Sequence, residues 1–269
     1  MNRIDQRFAE LAAARRRGLI PFVTGGDPLP DATVALMHAL VAAGADPIEL
    51  GVPFSDPMAD GPVIQHANER ALAKGGLRRI LEWVAEFRRS DAATPIVLMG
   101  YLNPIEIYGF ERFARDARQA GVDGVLLVDC PVEELDTAAP LRDAGLNQIF
   151  LAAPTTDAAR LESICNTAQG FLYYVSFAGI TGAARLSTEA VREKVAAIRT
   201  RARTPVAVGF AKDGPAAAIA QFADAVVIGS ALVETIAGSE SAVEACRRAT
   251  EFLAPIRTAL DAVEGADAA

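Results

Sequence analysis

Three times along the chain one short design recurs: an alanine and a glycine, one further residue, then an acidic or amide side chain just ahead of an apolar run. The three are Ala43-Gly44-Ala45-Asp46 before Ile48, Ala120-Gly121-Val122-Asp123 before Val125, and Ala144-Gly145-Leu146-Asn147 before Ile149. A glycine in that place ends a helix in the left-handed conformation and turns the chain directly into a strand. The runs that follow are continuously apolar rather than alternating, the pattern of a parallel sheet covered by helices. Eight such runs are found, at Leu19–Thr24, Pro47–Gly51, Pro95–Gly100, Gly124–Asp129, Gln148–Ala152, Phe171–Ser176, Pro205–Gly209 and Ala225–Gly229. Eight strand–helix units predict an α/β fold of the closed (β/α)8 barrel type. A doubly wound open sheet is the main rival, but Thr24-Gly25-Gly26-Asp27 lacks the glycine spacing such a sheet carries after its first strand.

Helical patterns are read at Asp31–Ala43, Val63–Lys74, Leu77–Arg89, Pro104–Ala120, Val132–Ala144, Asp157–Thr167, Thr188–Thr200, Pro215–Phe222 and from about Ser241 to Val263. Helices outnumber strands because the loop after the second strand carries added helical structure. Ile4, Phe8 and Leu11 add an extra N-terminal helix; their spacing is helical, unlike the uninterrupted apolar core of a signal peptide. With 269 residues, 51% of them hydrophobic, the chain can bury a large single core, and residues 1–269 are expected to form one domain.

A net charge of -8 argues against nucleic acid as the main partner. Arg15, Arg16 and Arg17 form the one tight basic run, read as the solvated end of a helix. Cys130, Cys165 and Cys246 are far apart, with no Cys-x-x-Cys and no nearby histidine, so no metal site is expected. They read as reduced thiols of a cytoplasmic protein. No stretch approaches a membrane span.

Glu49 stands inside an apolar strand between Ile48 and Leu50. Facing a buried cavity it would lose hydration, its proton affinity would rise, and it could trade protons near neutral pH. Asp60 stands in the loop that follows, which Pro53, Pro57 and Pro62 stiffen and Gly51 and Gly61 leave free to hinge. An acid at a strand end can equally cap a helix or meet an arginine, and the local sequence leaves both readings open.

In a barrel the functional face lies in the loops that follow the strands. The unusual residues fall there: Thr24–Pro28, Glu49–Asp60, Tyr101–Pro104 and the small-residue loop Ser176–Gly182. The seventh strand leaves through Gly209-Phe210-Ala211-Lys212 and the eighth through Gly229-Ser230-Ala231. That quarter of a barrel often offers backbone N–H groups and a hydroxyl to a phosphate, although two plain turns opening helices would read the same way.

The run from Glu49 to Pro62, Glu-Leu-Gly-Val-Pro-Phe-Ser-Asp-Pro-Met-Ala-Asp-Gly-Pro, resembles the tryptophan synthase alpha chain family. Pro21–Pro28, Asp129-Cys130-Pro131-Val132-Glu133-Glu134 and Gly229-Ser230 support the resemblance, which spans nearly the whole chain. It implies a TIM barrel that cleaves indole-3-glycerol phosphate to indole and glyceraldehyde 3-phosphate, a lyase of tryptophan biosynthesis. It implies that Glu49 is the general acid/base at the departing indole carbon and that Asp60 serves the indole N–H. It places Phe22, Ile64, Met99, Tyr101, Leu126 and Tyr173 around the substrate, each position also suiting the core, Leu126 most of all. Thr181 would meet Asp60 on loop closure, and Gly182, Gly209, Phe210, Ala211, Gly229 and Ser230 would surround the phosphate.

The sequence departs from the family pattern at Ala211, where Gly-Phe-Gly is more usual, and at Phe177-Ala178, where a basic or hydroxyl residue is common. The resemblance further implies an α2β2 assembly in which a beta subunit holds pyridoxal phosphate and this chain needs no cofactor. Pro53, Asp56, Pro57 and Asn103 would face that partner. A stand-alone indole-glycerol-phosphate lyase and a catalytically silent allosteric barrel are the alternatives, and intact Glu49 and Asp60 weigh against the second.

Overall fold

The computed structural model describes residues 1–175, 188–209 and 216–263. Its strands are β1 (Gly18–Thr24), β2 (Ile48–Gly51), β3 (Ile96–Gly100), β4 (Gly124–Leu127), β5 (Asn147–Gln148), β6 (Phe150–Ala152), β7 (Leu172–Val175), β8 (Val206–Gly209) and β9 (Ala225–Ile228). All pair in parallel, in the order β5-β4-β3-β2-β1-β9-β8-β7-β6. The two outermost strands, β5 and β6, are halves of the fifth predicted strand, parted at Ile149. Its N–H still bonds to the Val125 carbonyl at 3.0 Å, so the sheet curls round to a nearly closed (β/α)8 barrel.

Helices cover the outside, and two follow β2 before β3, at Pro62–Leu72, which lines the site, and Leu77–Phe87, which packs into the core. They are the added structure expected after the second strand. Pro62 opens the first of them, where its missing N–H is not needed. Two expected helices are broken. Pro104–Ala120 divides into Leu102–Tyr108 and Phe110–Ala120 because Gly109 takes a φ of 90°. Val132–Ala144 shrinks to a 3-10 turn at Val132–Glu134 and a short helix at Ala139–Asp143. Pro140 can begin that helix but cannot continue one from upstream. A helix at Ser230–Ile236 precedes the long C-terminal one, Ala242–Asp261.

The N-terminal helix, Arg3–Ala13, turns Ile4, Phe8 and Leu11 into the barrel's lower mouth. They join Ile20, Val97, Leu126, Ile149, Ala207 and Val227 in one buried cluster, and a second, larger cluster lies between sheet and helices.

The recurring glycine–acid design has a structural purpose. Gly44, Gly121 and Gly145 all have positive φ, and the residue that follows by two starts the next strand entry. Asp123 exchanges hydrogen bonds with Ile96, its N–H donating to that carbonyl and its Oδ2 accepting that N–H at 2.9 Å. Asp46 does the same with Leu19, and Asp224, ahead of β9, with Val206. Each acid also meets arginine: Asp46 with Arg257 at 3.2 Å, Asp123 with Arg3 and Arg88 both at 2.8 Å, and Asp224 with Arg199 at 3.1 Å. Arg17, expected to be solvated, is buried beside Asp224, and desolvation pulls its pKa down.

Candidate active site

Glu49 sits in the middle of β2, with Phe22 of β1 and Val97 of β3 as its register partners. It is 1% exposed, and neither carboxylate oxygen has a hydrogen-bond partner among the described residues. A charge left in an apolar wall without a donor is unfavourable, and burial alone pushes its pKa up to about 8. Tyr173, on β7, is also raised, first by burial and then by the Glu49 charge, which places the two side chains near one another across the barrel mouth.

Asp60 ends the loop that leaves β2. Burial raises its pKa to about 6, opposed by hydrogen bonds from the Tyr101 hydroxyl and the Asn68 amide, the latter at 3.5 Å. The loop itself is pinned at this end. The Asp60 N–H donates to the Pro57 carbonyl at 3.0 Å, and the Asp60 carbonyl accepts from the Gln65 side chain at 2.8 Å.

Both acids open on one cavity of about 350 Å³ at the C-terminal end of the strands. Phe22, Ile64, Met99 and Tyr173 line it, as do Gly209, Gly229 and Ser230 on its rim. Tyr101 lines a narrow recess that adjoins it, together with Asp60 and Asn68. Leu126 does not reach the cavity. It lies in the layer below, and Val128, two residues on and on the same side of the strand, takes the position expected of it. Leu151, Val175 and Val227 complete the apolar wall. Each lies in a strand already identified, so counting by two along the strand was the signal that would have found them.

Gly209 is glycine for a local reason: a Cβ there would come within 2.6 Å of the Tyr173 hydroxyl. Thr181, Gly182, Phe210 and Ala211 lie outside the described residues. Asn68, which sequence reasoning missed, faces inward from Pro62–Leu72 beside Ile64, Ala67 and Ala71. A lone carboxamide on an otherwise apolar helix face was its signal.

Among the residues expected to face a partner, Asp56 and Asn103 are exposed, Pro57 is half-buried and Pro53 is buried. Met58, between Pro57 and Asp60, is 70% exposed. Asp129, two residues past β4, accepts the Leu102 N–H at 2.8 Å, and burial pushes the neighbouring Cys130 thiol up, away from the range of a reactive thiolate. Among the described residues no cluster of acidic, histidine or cysteine side chains could hold a metal ion, and no helix is long and apolar enough to cross a membrane.

The arrangement has clear relatives. The family model described as the tryptophan synthase alpha chain matches residues 8–261. The chain is 60% identical over 266 residues to the tryptophan synthase alpha chain of Xanthomonas oryzae pv. oryzae, covering 97% of this chain and 99% of that one. It is 57% identical over 268 residues to the alpha chain of Xylella fastidiosa, covering 98% and 100%. Among solved structures, tryptophan synthase subunit alpha from Legionella pneumophila str. Paris superposes with a TM-score of 0.88 at 43% identity, covering 97% of this chain and 99% of that one.

Proposed function

The chain belongs to the tryptophan synthase alpha chain family, lyases that cleave indole-3-glycerol phosphate to indole and glyceraldehyde 3-phosphate, and from that premise we propose how its own residues divide the work. Glu49 is the general acid/base. Near neutral pH it holds a proton, because its pKa is pushed up to about 8, and it delivers that proton to the indole carbon bearing the side chain. The ring becomes an electron-poor indolenine. Glu49, now charged in an apolar wall, takes the proton from the hydroxyl on the adjacent side-chain carbon. The carbon–carbon bond then breaks, its electrons return to the ring, and the side-chain carbon leaves as the aldehyde.

Asp60, with a pKa of about 6, is mostly ionised at neutral pH and accepts the indole N–H, which turns more acidic as the ring is protonated. Two carboxyls on a single cavity, Glu49 without a hydrogen-bond partner among the described residues and Asp60 with donors, are the observation that carries this reading. The ring supplies its own electron sink, so the chemistry asks for no cofactor on this chain.

Phe22, Ile64, Met99 and Tyr173 form the indole walls, with Val128 in place of Leu126. The phosphate goes to the rim at Gly209, Gly229 and Ser230, together with Gly182, Phe210 and Ala211. Thr181 meets Asp60 when its loop closes. As an alpha chain the protein implies a beta subunit. An α2β2 assembly docking through Asp56, Pro57 and Asn103, with buried Pro53 stiffening the loop behind them, is the arrangement that we infer, and pyridoxal phosphate belongs to that partner. One domain over residues 1–269 and a cytoplasmic location complete the reading.

The test is indole release from indole-3-glycerol phosphate by the purified chain, with and without a cognate beta subunit. Turnover that rises on adding beta and vanishes in Glu49→Gln supports the proposal. High turnover indifferent to beta would favour the stand-alone lyase, and none in either condition the silent barrel.

A further inference from the structure

Phe54, at the start of the loop that ends in Asp60, is tied to that acid through two side chains from other elements. Its N–H donates to Asn68 Oδ1 at 3.4 Å, and the same carboxamide donates through Nδ2 to Asp60 Oδ2. Its ring packs on the ring of Tyr101, with centroids 5.1 Å apart. The Tyr101 hydroxyl accepts the Ala59 N–H at 3.0 Å and donates to Asp60. The contacts run from Phe54 to Asn68, to Asp60, to Tyr101 and back to Phe54, a closed circuit spanning the loop's two ends, the Pro62–Leu72 helix and the end of β3. Asn68 is 4% exposed and Tyr101 equally buried, so neither donor is replaced by water without opening the site.

We propose that Asn68 and Tyr101 are positioning residues for the cleavage reaction: together they hold the Asp60 carboxylate at the cavity, aimed and ionised, before any substrate arrives. The inference rests on the reading of Asp60 given above. An acid on a loop rich in proline but long enough to hinge needs such bracing, because misplacing a proton-accepting group by even about 1 Å costs on the order of 10²-fold in rate. Of the two, Tyr101 acts through its hydroxyl while its ring packs, and Asn68 through both ends of its amide. Other ionisable groups face the same space: Glu49 from β2 and Tyr173 from β7 across the cavity, and Asp129 beyond Tyr101. Asp56 lies on the loop itself, and Arg70, the nearest arginine along the helix, is held away by a two-bonded ion pair with Asp27. Among the described residues no cation pairs with the carboxylate, so the two hydrogen-bond donors are what favour its charged form there.

Tyr101→Phe keeps the ring on Phe54 and removes only the hydroxyl, and Asn68→Ala removes both amide contacts. In each variant of the full chain, the Asp60 carboxyl is titrated by carbon-13 NMR, assigned by its absence in Asp60→Asn, and kcat and KM are measured across pH. The expected result is an Asp60 pKa about 0.5–1 unit higher in either variant, a matching upward move of the acid limb of kcat/KM, and a fall of about 10-fold in kcat with KM changed less. An unmoved Asp60 titration in both variants would overturn the proposal, as would a loss of activity uniform in pH. If instead Asp60→Asn is fully active while the titration moves as expected, the brace stands and the catalytic reading of Asp60 falls.

Discussion

The barrel keeps acids at both ends and treats them in opposite ways. At the lower end Asp46, Asp123 and Asp224 each accept a strand N–H and each face arginine within 3.2 Å. At the upper end, among the described residues, Glu49 has no partner and Asp60 has hydrogen-bond donors but no ion pair. Burial is as complete at Asp123 as at Glu49, each being 1% exposed. What differs is the company. A paired buried acid is a fastener whose charge is already answered, and an unpaired one keeps a proton that it can give away.

Removing the upper acids should therefore abolish chemistry and leave the fold. Glu49→Gln fills the same volume but cannot shuttle a proton, and a loss of at least about 10²–10⁴ in kcat is expected because it serves two steps. Single-turnover indole release, with circular dichroism to check folding, measures it; an unimpaired variant would remove Glu49 from the mechanism. Asp60→Asn should lose about 10²-fold or more, again in kcat. A rise confined to KM would turn Asp60 into a binding group.

Breaking a lower acid should do the reverse. Asp123→Ala leaves Arg3 and Arg88 facing each other without their shared counter-charge and orphans the Ile96 N–H. We expect a loss of about 3–5 kcal/mol in urea unfolding, with kcat per folded molecule unchanged. A variant that stays stable but loses activity would erase the distinction between the two ends.

The smallest effect is a matter of pH. Glu49 has a folded pKa of about 8, raised from an ordinary 4.5, so the folded state holds a proton that the unfolded chain releases at lower pH. Its contribution to stability is accordingly flat below about pH 4.5, falls as pH rises from there to about 8, and is flat again above. Glu49→Gln escapes this loss. The stability of the variant relative to wild type should grow through that window by a few kcal/mol, and parallel curves across it would mean that Glu49 is ionised throughout.

Much of this division was already visible in the residues. The glycine–acid entries marked three strand starts and, with them, Asp46 and Asp123, because a left-handed glycine followed by a short polar side chain is a local event within a few residues; Asp224 carries no such glycine before it. Glu49 stood out because an acid between Ile48 and Leu50 contradicts its own strand. The split of Pro104–Ala120 was less legible: a lone glycine in a helical pattern is usually tolerated, and only the folded chain shows Gly109 at a φ of 90° between two helices. Leu126 was misplaced by one layer for a similar reason. Periodicity says which side of a strand a residue faces, and how far up the barrel the floor of the cavity lies depends on the stagger of neighbouring strands.

The sequence by itself determined the succession of strand–helix units and the places of Glu49 and Asp60 within it, since turn glycines and apolar runs act between near neighbours in the chain. Only the tertiary structure decided that Asp123 would be answered by Arg3 and Arg88 and Glu49 by none of the described residues, and that Asn68 and Tyr101 would meet at Asp60. Those relations join residues tens of positions apart, and local propensity carries no information about which side chains the closing of a sheet brings together.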